Sequence, residues 1–323
     1  MKDQILSLPK QIKEGLKNAQ NIKVEGDFNQ IIVAGMGGSA WPAEILSTWL
    51  KLPIPMQVYR NYNLPCKKSK TLLICVSYSG NTEETLSAYK TGIENNFTTI
   101  AVSSNGKLKK LAQKNKNLFI EIPSNFAPRM ATGYIFTAVY SILKNSGIIK
   151  NQDKAILKAV KNIKPKEKQK SGKNLAETIK GKIPIIYTSE KLKSLGYIWK
   201  IKFNENSKIP AFNNHFPELN HNELEGNSHE KENDIHKDPV FYSIILKNEN
   251  DHPKIKKAMD ITNQILNQTG TPSEIIKIKG NNLLEKIFNS ILLADWTSYY
   301  LAQIYNIDPL KTPAIKKFKQ EMK

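Results

Sequence analysis

Two groups of residues in this chain have types and spacings that could do chemistry. The first is Ser77-Tyr-Ser-Gly-Asn-Thr82, a run of small hydroxyl residues around one glycine. It follows the apolar stretch Ile74-Cys-Val76 and precedes Glu83-Glu-Thr85, so it reads as the turn from a buried strand into a helix. Gly80 permits a positive φ and the close approach of a ligand. Unpaired N–H groups at a helix start, together with the hydroxyls of Ser77, Ser79 and Thr82, form a cradle of donors. Dianionic phosphate, rich in acceptors, fits such a cradle. The plainer alternative is an ordinary capped turn. A second turn of the same kind, Gly35-Met-Gly-Gly-Ser-Ala40, follows the strand-like Gln30-Ile-Ile-Val-Ala34. The two turns are separated by about one βα unit of a parallel sheet. Gly37, Gly38 and Ser39 can therefore face the same crevice as Ser77, Ser79 and Thr82. A dinucleotide fingerprint fits less well. Ala40 stands where G-x-G-x-x-G has its last glycine, and that reading leaves the hydroxyl loop without a use.

The second group lies in the other half of the chain. Glu205 sits in Lys202-Phe-Asn-Glu-Asn-Ser-Lys208, and His221 in Glu218-Leu-Asn-His-Asn-Glu-Leu-Glu-Gly226. A carboxylate and an imidazole are the pair a proton-shuttling isomerase needs. The carboxylate moves a carbon-bound proton, and the imidazole handles a ring oxygen near neutral pH. The alternative is a glutamate at a helix end and a hydrogen-bonded polar loop. His215, His221, His229 and His236 show no helical His-x-x-x-His pair, so a metal centre is not expected, nor is any cofactor. Arg129, in Ile122-Pro-Ser-Asn-Phe-Ala-Pro-Arg-Met-Ala-Thr-Gly-Tyr134, stands just before a helical run. Its guanidinium could fork onto a carboxylate or phosphate, or simply lie at the surface.

The elements that must position these groups alternate strand and helix. Strands are expected at 30–34, near 56–59, 71–76, 98–102 and 118–122, with helices over 41–51, 82–95 and 107–115. Val102-Ser-Ser-Asn-Gly106 reads as a plain turn. The lysine-rich stretch Lys161 to Lys173 reads as a solvated helix and linker, after which the alternation restarts. Strands at 182–188, near 240–246 and near 274–279 are joined by helices 190–204, 253–268, 283–305 and 313–321. The class is α/β, in two domains over 1–150 and 151–323, each a parallel sheet flanked by helices. The first turn of the second domain, Thr188-Ser-Glu-Lys191, has no glycine, so that domain is expected to carry chemistry or architecture rather than a second phosphate cradle.

The formal charge of +19 invites a nucleic-acid reading, but of 48 basic residues only Arg60 and Arg129 are arginine, and the lysines are scattered. Nucleic-acid sites cluster their basic residues with base-reading arginines or aromatics, so no nucleic-acid partner is expected. The positive field can still draw in anionic substrates. No apolar run approaches the ~20 residues of a membrane span, and the first residues lack a signal-peptide core. Cys66 and Cys75 make no disulfide framework or zinc spacing, which points to a reducing, cytoplasmic setting.

The two glycine-serine turns resemble the phosphosugar-binding loops of the sugar isomerase fold, the SIS domain, a five-stranded parallel sheet flanked by helices. The chain as a whole resembles the archaeal-type bifunctional phosphoglucose/phosphomannose isomerases. Pro128-Arg-Met-Ala-Thr-Gly-Tyr134, Phe203-Asn-Glu-Asn-Ser-Lys208 and Glu218-Leu-Asn-His-Asn-Glu-Leu-Glu-Gly226 look like that family's signatures. So does the closing Ile307-Asp-Pro-Leu-Lys-Thr-Pro-Ala-Ile-Lys-Lys-Phe-Lys319, although Phe318 replaces the usual leucine. The resemblance implies two SIS-type domains that isomerise hexose 6-phosphates between aldose and ketose. It implies Glu205 as the base, His221 with Lys319 for ring opening, Arg129 beside the substrate and Thr312 at the family's threonine position. It also implies a homodimer in which the histidine reaches the site from the neighbouring subunit. Two rivals are a non-catalytic phosphosugar sensor and a glucosamine 6-phosphate synthase module. The latter would need a glutaminase domain with an N-terminal cysteine, and residue 2 here is lysine.

Overall fold

The computed structural model describes residues 1–65, 70–227 and 240–322. Cys66, His229, His236 and nearly all of the polar loop 227–238 lie outside the described residues. The chain divides into two compact units, one of Leu6–Ile163 and one of Met1–Ile5 with Lys164–Lys323. The first unit thus runs past residue 150 to include a further helix.

After α1 (Lys2–Leu6), the first unit holds α2 (Leu8–Asn18), β1 (Gln30–Ala34), α3 (Trp41–Trp49), β2 (Met56–Tyr59) and β3 (Thr71–Val76). It continues with α4 (Glu83–Glu94), β4 (Thr98–Ser103), α5 (Gly106–Lys114), β5 (Phe119–Glu121), α6 (Thr132–Asn145) and α7 (Asp153–Asn162). The sheet is parallel throughout, in the order β2-β1-β3-β4-β5. Every residue of β3 is buried, as expected for a near-continuous apolar strand covered on both faces. From β1 the chain goes outward to β2 and then crosses back to β3 on the other side. The carboxyl ends of β1 and β3 therefore flank a topological switch point. Ala34 is in register with Cys75, so the two glycine-serine turns leave the sheet at the same level. Cys75 is buried in this strand, and burial pushes its thiol pKa up.

The second unit holds α8 (Gln169–Thr178), β6 (Ile183–Ser189), α9 (Lys193–Lys202), β7 (Phe212–Phe216), α10 (Glu223–Gly226) and β8 (Phe241–Lys247). It ends with α11 (Pro253–Gln268), β9 (Ser273–Lys277), α12 (Leu283–Ile304) and α13 (Pro313–Glu321). Its sheet is also parallel, in the order β7-β6-β8-β9. That is the order of the first sheet without its fifth strand, since the chain passes from β9 to α12 with no further helix and strand. Among the described residues, four strands therefore stand where the resemblance implied five.

Two local expectations are corrected. The edge strand β7 was not foreseen, because Phe212-Asn-Asn-His-Phe216 carries two asparagines and lacks an apolar alternation. The lysine-rich stretch, expected as helix and linker, takes in the end of α7, the boundary between the units, a 3-10 turn over Pro165–Lys168 and the start of α8. Gly172 in α8 lies against Trp296 of α12, where a Cβ would come within 2.4 Å of the tryptophan Cβ. The helix expected over 190–204 is divided into a 3-10 turn at Glu190–Leu192, α9, and a π-helical turn over Phe203–Ser207.

Candidate active site

The two turns at the switch point are joined directly. The hydroxyl oxygen of Ser39 accepts from the Tyr78 N–H at 3.1 Å, bonding the β1 turn to the β3 turn. Within the second turn, Ser77 Oγ donates to Thr82 Oγ1 at 2.8 Å. Thr82 is the residue before α4, yet its side chain makes no cap bond, so it leaves the first helical N–H groups without a side-chain cap. Ser77, Gly38 and Ser39 are buried, Gly37 and Thr82 are half-buried, and Ser79 is exposed. At Gly37, with φ of +47°, a Cβ would meet nothing within 4 Å, so the backbone there borders open space. Buried hydroxyls below and helix N–H groups alongside give the donor-rich geometry that suits a phosphate.

The corner at 102–106 is more than a plain turn. Ser104 N and Ser104 Oγ both donate to the Tyr78 carbonyl, at 3.0 and 2.7 Å. Leu108 N donates to Gly80 O at 2.8 Å, and Lys107 N to Asn81 Oδ1 at 3.0 Å. The end of β4 and the start of α5 thus buttress the hydroxyl loop from outside. The sequence signal was Ser103-Ser-Asn-Gly106, a third small polar turn at a strand end.

Arg129 lies in a 3-10 turn over Pro128–Met130 and is buried, which rules out the surface alternative. A Cβ on Gly38 would stand 2.7 Å from Arg129 Cα, so the β1 turn and the arginine backbone are in contact, and only glycine permits it. Two residues set this segment. The Tyr78 hydroxyl donates to Pro123 O at 2.8 Å and accepts from Phe126 N at 2.7 Å. Gln11, fully buried in α2, donates to Met130 O at 2.9 Å and accepts from Gly133 N at 3.1 Å. Burial of the Tyr78 phenol raises its pKa, and the bond from Phe126 works against that.

In the second unit, Glu205 occupies the π-helical turn that ends α9 and is half-buried. Such turns re-aim side chains and recur at functional sites. Its neighbours anchor it to α12: Asn206 Nδ2 donates to Ser298 Oγ and Ser207 Oγ to Ser298 O, both at 2.9 Å. One turn back, Lys202 Nζ and Asp295 Oδ1 form a buried ion pair at 2.7 Å.

His221 ends a 3-10 turn over Glu218–His221, is exposed, and has no hydrogen bond to another side chain among the described residues. The following turn is well tied: Glu223 accepts from Tyr187 Oη at 3.0 Å and from Asn214 Nδ2 at 2.5 Å. Thr312 immediately precedes α13, and Lys319 lies exposed in its last turn. No residue of α13 is buried.

With this geometry in view, comparison with known proteins decides the family. Residues 168–322 match the family model described as the bacterial phospho-glucose isomerase C-terminal SIS domain. The chain is 36% identical to the bifunctional phosphoglucose/phosphomannose isomerase of Caldicellulosiruptor bescii, over 100% of this chain and 98% of the relative. It is 34% identical to the protein of the same name in Aquifex aeolicus, over 92% and 91%. The chain belongs to the bifunctional phosphoglucose/phosphomannose isomerase family.

Within reach of that family lies a different activity: the D-glucosamine-6-phosphate 4-epimerase of Sulfolobus acidocaldarius is 32% identical over 90% of this chain and 88% of the relative. Among solved structures, a hypothetical protein of Thermus thermophilus is similar with a TM-score of 0.76, 13% identity, and coverage of 98% of this chain and 88% of that one. At that identity the likeness supports the two-sheet α/β fold alone. The family motifs fall on built turns: the cradle on the carboxyl ends of β1 and β3, Arg129 behind Gly38, and Glu205 on the π turn. Gln11 and Ser104 lie outside the motifs that carry the resemblance, and their part in holding these turns, like that of the Tyr78 hydroxyl, emerged only from the tertiary bonds.

Proposed function

We propose that the chain interconverts glucose 6-phosphate and mannose 6-phosphate with fructose 6-phosphate. One observation carries the reading: a member of this family presents, at its switch point, two bonded glycine-serine turns whose donors suit a phosphate. Gly37, Gly38, Ser39, Ser77, Ser79 and Thr82 hold the phosphate. His221, with Lys319, opens the sugar ring. Glu205 takes the proton from C2 and returns it at C1 through a cis-enediol. Arg129 stabilises the negative charge that develops on the enediol oxygens. Thr312 leaves room for both C2 epimers. The chemistry conserves oxidation state across the molecule and needs no redox cofactor.

The working unit is a homodimer, in which His221 of one subunit completes the site that holds Glu205 of the other. The exposure of His221 and its lack of a side-chain partner among the described residues support a group that acts outside its own unit. The enzyme acts in the cytoplasm. A coupled assay on glucose 6-phosphate and on mannose 6-phosphate tests the reading, with fructose 6-phosphate expected from both. Binding without conversion would make the chain a sensor. Epimerisation of glucosamine 6-phosphate, with neither hexose phosphate converted, would place it beside the Sulfolobus relative instead.

A further inference from the structure

Lys208 follows Glu205 by three residues and closes the π-helical turn in the left-handed region, at φ 57° and ψ 34°. That region suits glycine or asparagine better than lysine, so the turn accepts some backbone strain to keep this side chain. The ammonium spans two segments. It donates to Glu205 O at 2.5 Å and to Asn206 O at 3.4 Å, carbonyls at the end of the helix. It also donates to Asp308 O at 3.3 Å, one hundred positions further along the chain. A cation at a helix C-terminus is favourable in itself, but it needs no second segment. Asp308 is held as well: its Oδ1 accepts from Leu310 N at 2.9 Å, and its Oδ2 faces Lys311 Nζ at 3.7 Å. That turn leads within four residues to Thr312 and α13. Asn206 and Ser207 separately bind the Glu205 turn to α12.

We propose that Lys208 is a positioning residue for the isomerisation. Its ammonium latches the Glu205 turn to the Asp308–Thr312 segment, so that the base and the residue facing C2 keep one relative geometry. The inference rests on the reading of Glu205 as the base and Thr312 as the epimer-facing residue. A small displacement of a proton-transfer group costs rate rather than binding, because the phosphate is held elsewhere.

Lys208→Asn tests it, since asparagine tolerates the left-handed region while removing the ammonium. With fructose 6-phosphate as substrate, kcat should fall by about tenfold or more while KM stays within about twofold. Inhibition by inorganic phosphate should be unchanged, and the ratio of mannose to glucose product should shift. If the asparagine protein melts early, Lys208→Gly supplies the same test with the backbone strain relieved. A variant with wild-type kcat and product ratio overturns the latch, as does one that loses only KM. Glu205→Gln is measured alongside. Should it keep its turnover, the assignment of the base fails. An inactive Glu205→Gln beside an unimpaired Lys208→Asn sinks the latch alone.

Discussion

A methyl group on Gly80 would lie 1.7 Å from the carbonyl oxygen of Asn105, and Gly80 itself has φ of +67°. The hydroxyl loop is thus pressed against the corner that follows β4, and the contact is mutual: a Cβ on Gly106 would come within 2.4 Å of Ser79 O. Neither turn can acquire a side chain at its glycine without moving the other.

Gly80→Ala should therefore cost about 1–3 kcal/mol of stability from the backbone conformation alone, and more from the clash. The chain should also lose affinity for phosphosugar as the loop shifts. Thermal melts with and without fructose 6-phosphate check both. A variant that melts like wild type and is stabilised equally by the sugar would show that the cradle does not depend on this turn.

Glu205→Gln should lower turnover by about 10²–10⁴-fold, the usual contribution of a positioned base, and leave phosphosugar binding nearly intact. The amide keeps the shape of the side chain but cannot take a proton. Retention of more than about a hundredth of wild-type kcat would contradict the assignment.

Subunit exchange tests whether two subunits of a dimer share each site. Mixing Glu205→Gln with His221→Ala protein gives mixed dimers that have one site with both lesions and one with neither. Random exchange makes roughly half the dimers mixed, so activity should return to roughly a quarter of wild type. If both residues served one site from one chain, every site would keep a lesion and nothing would return.

Thr312→Gln should cost mannose 6-phosphate turnover more than glucose 6-phosphate turnover, because a longer side chain crowds one C2 epimer. Kinetics on the two aldoses, run side by side, give the answer. Equal losses would remove Thr312 from epimer discrimination.

Glu274 bears on stability rather than catalysis. Desolvation raises its pKa, partly offset by a bond from Tyr242. Its Oε1 is buried without a hydrogen-bond partner. A carboxyl whose folded pKa is raised contributes stability that is fully present below its unfolded pKa, near 4.5, and is lost as pH rises through the folded value. Glu274→Gln should then raise the melting temperature at pH 7.5 relative to wild type, with a smaller gain or none at pH 4. A gain of equal size at both pH values would point to packing instead of charge.

Local sequence by itself determined the alternation of strands and helices. Parallel strands buried on both faces must be continuous apolar runs, and Leu72-Leu-Ile-Cys-Val76 can hardly be anything else. Helix starts were equally legible where the chemistry is local: prolines open α11 and α13. The glycine-serine turns stood out because phosphate recognition asks for donors at helix starts. Tertiary structure decided the rest. The edge strand β7 exists because β6 offers it a free ladder, not because Phe212-Asn-Asn-His-Phe216 prefers extension. Arg129 is buried because the turn from β1 and the segment held by Tyr78 close around it, a fact that no spacing encodes. The π turn at Glu205 is fixed by partners on residues 298 and 308, some ninety to one hundred positions away. Strands and turns follow from neighbours in sequence, whereas the aim of a functional side chain depends on bonds between residues far apart along the chain.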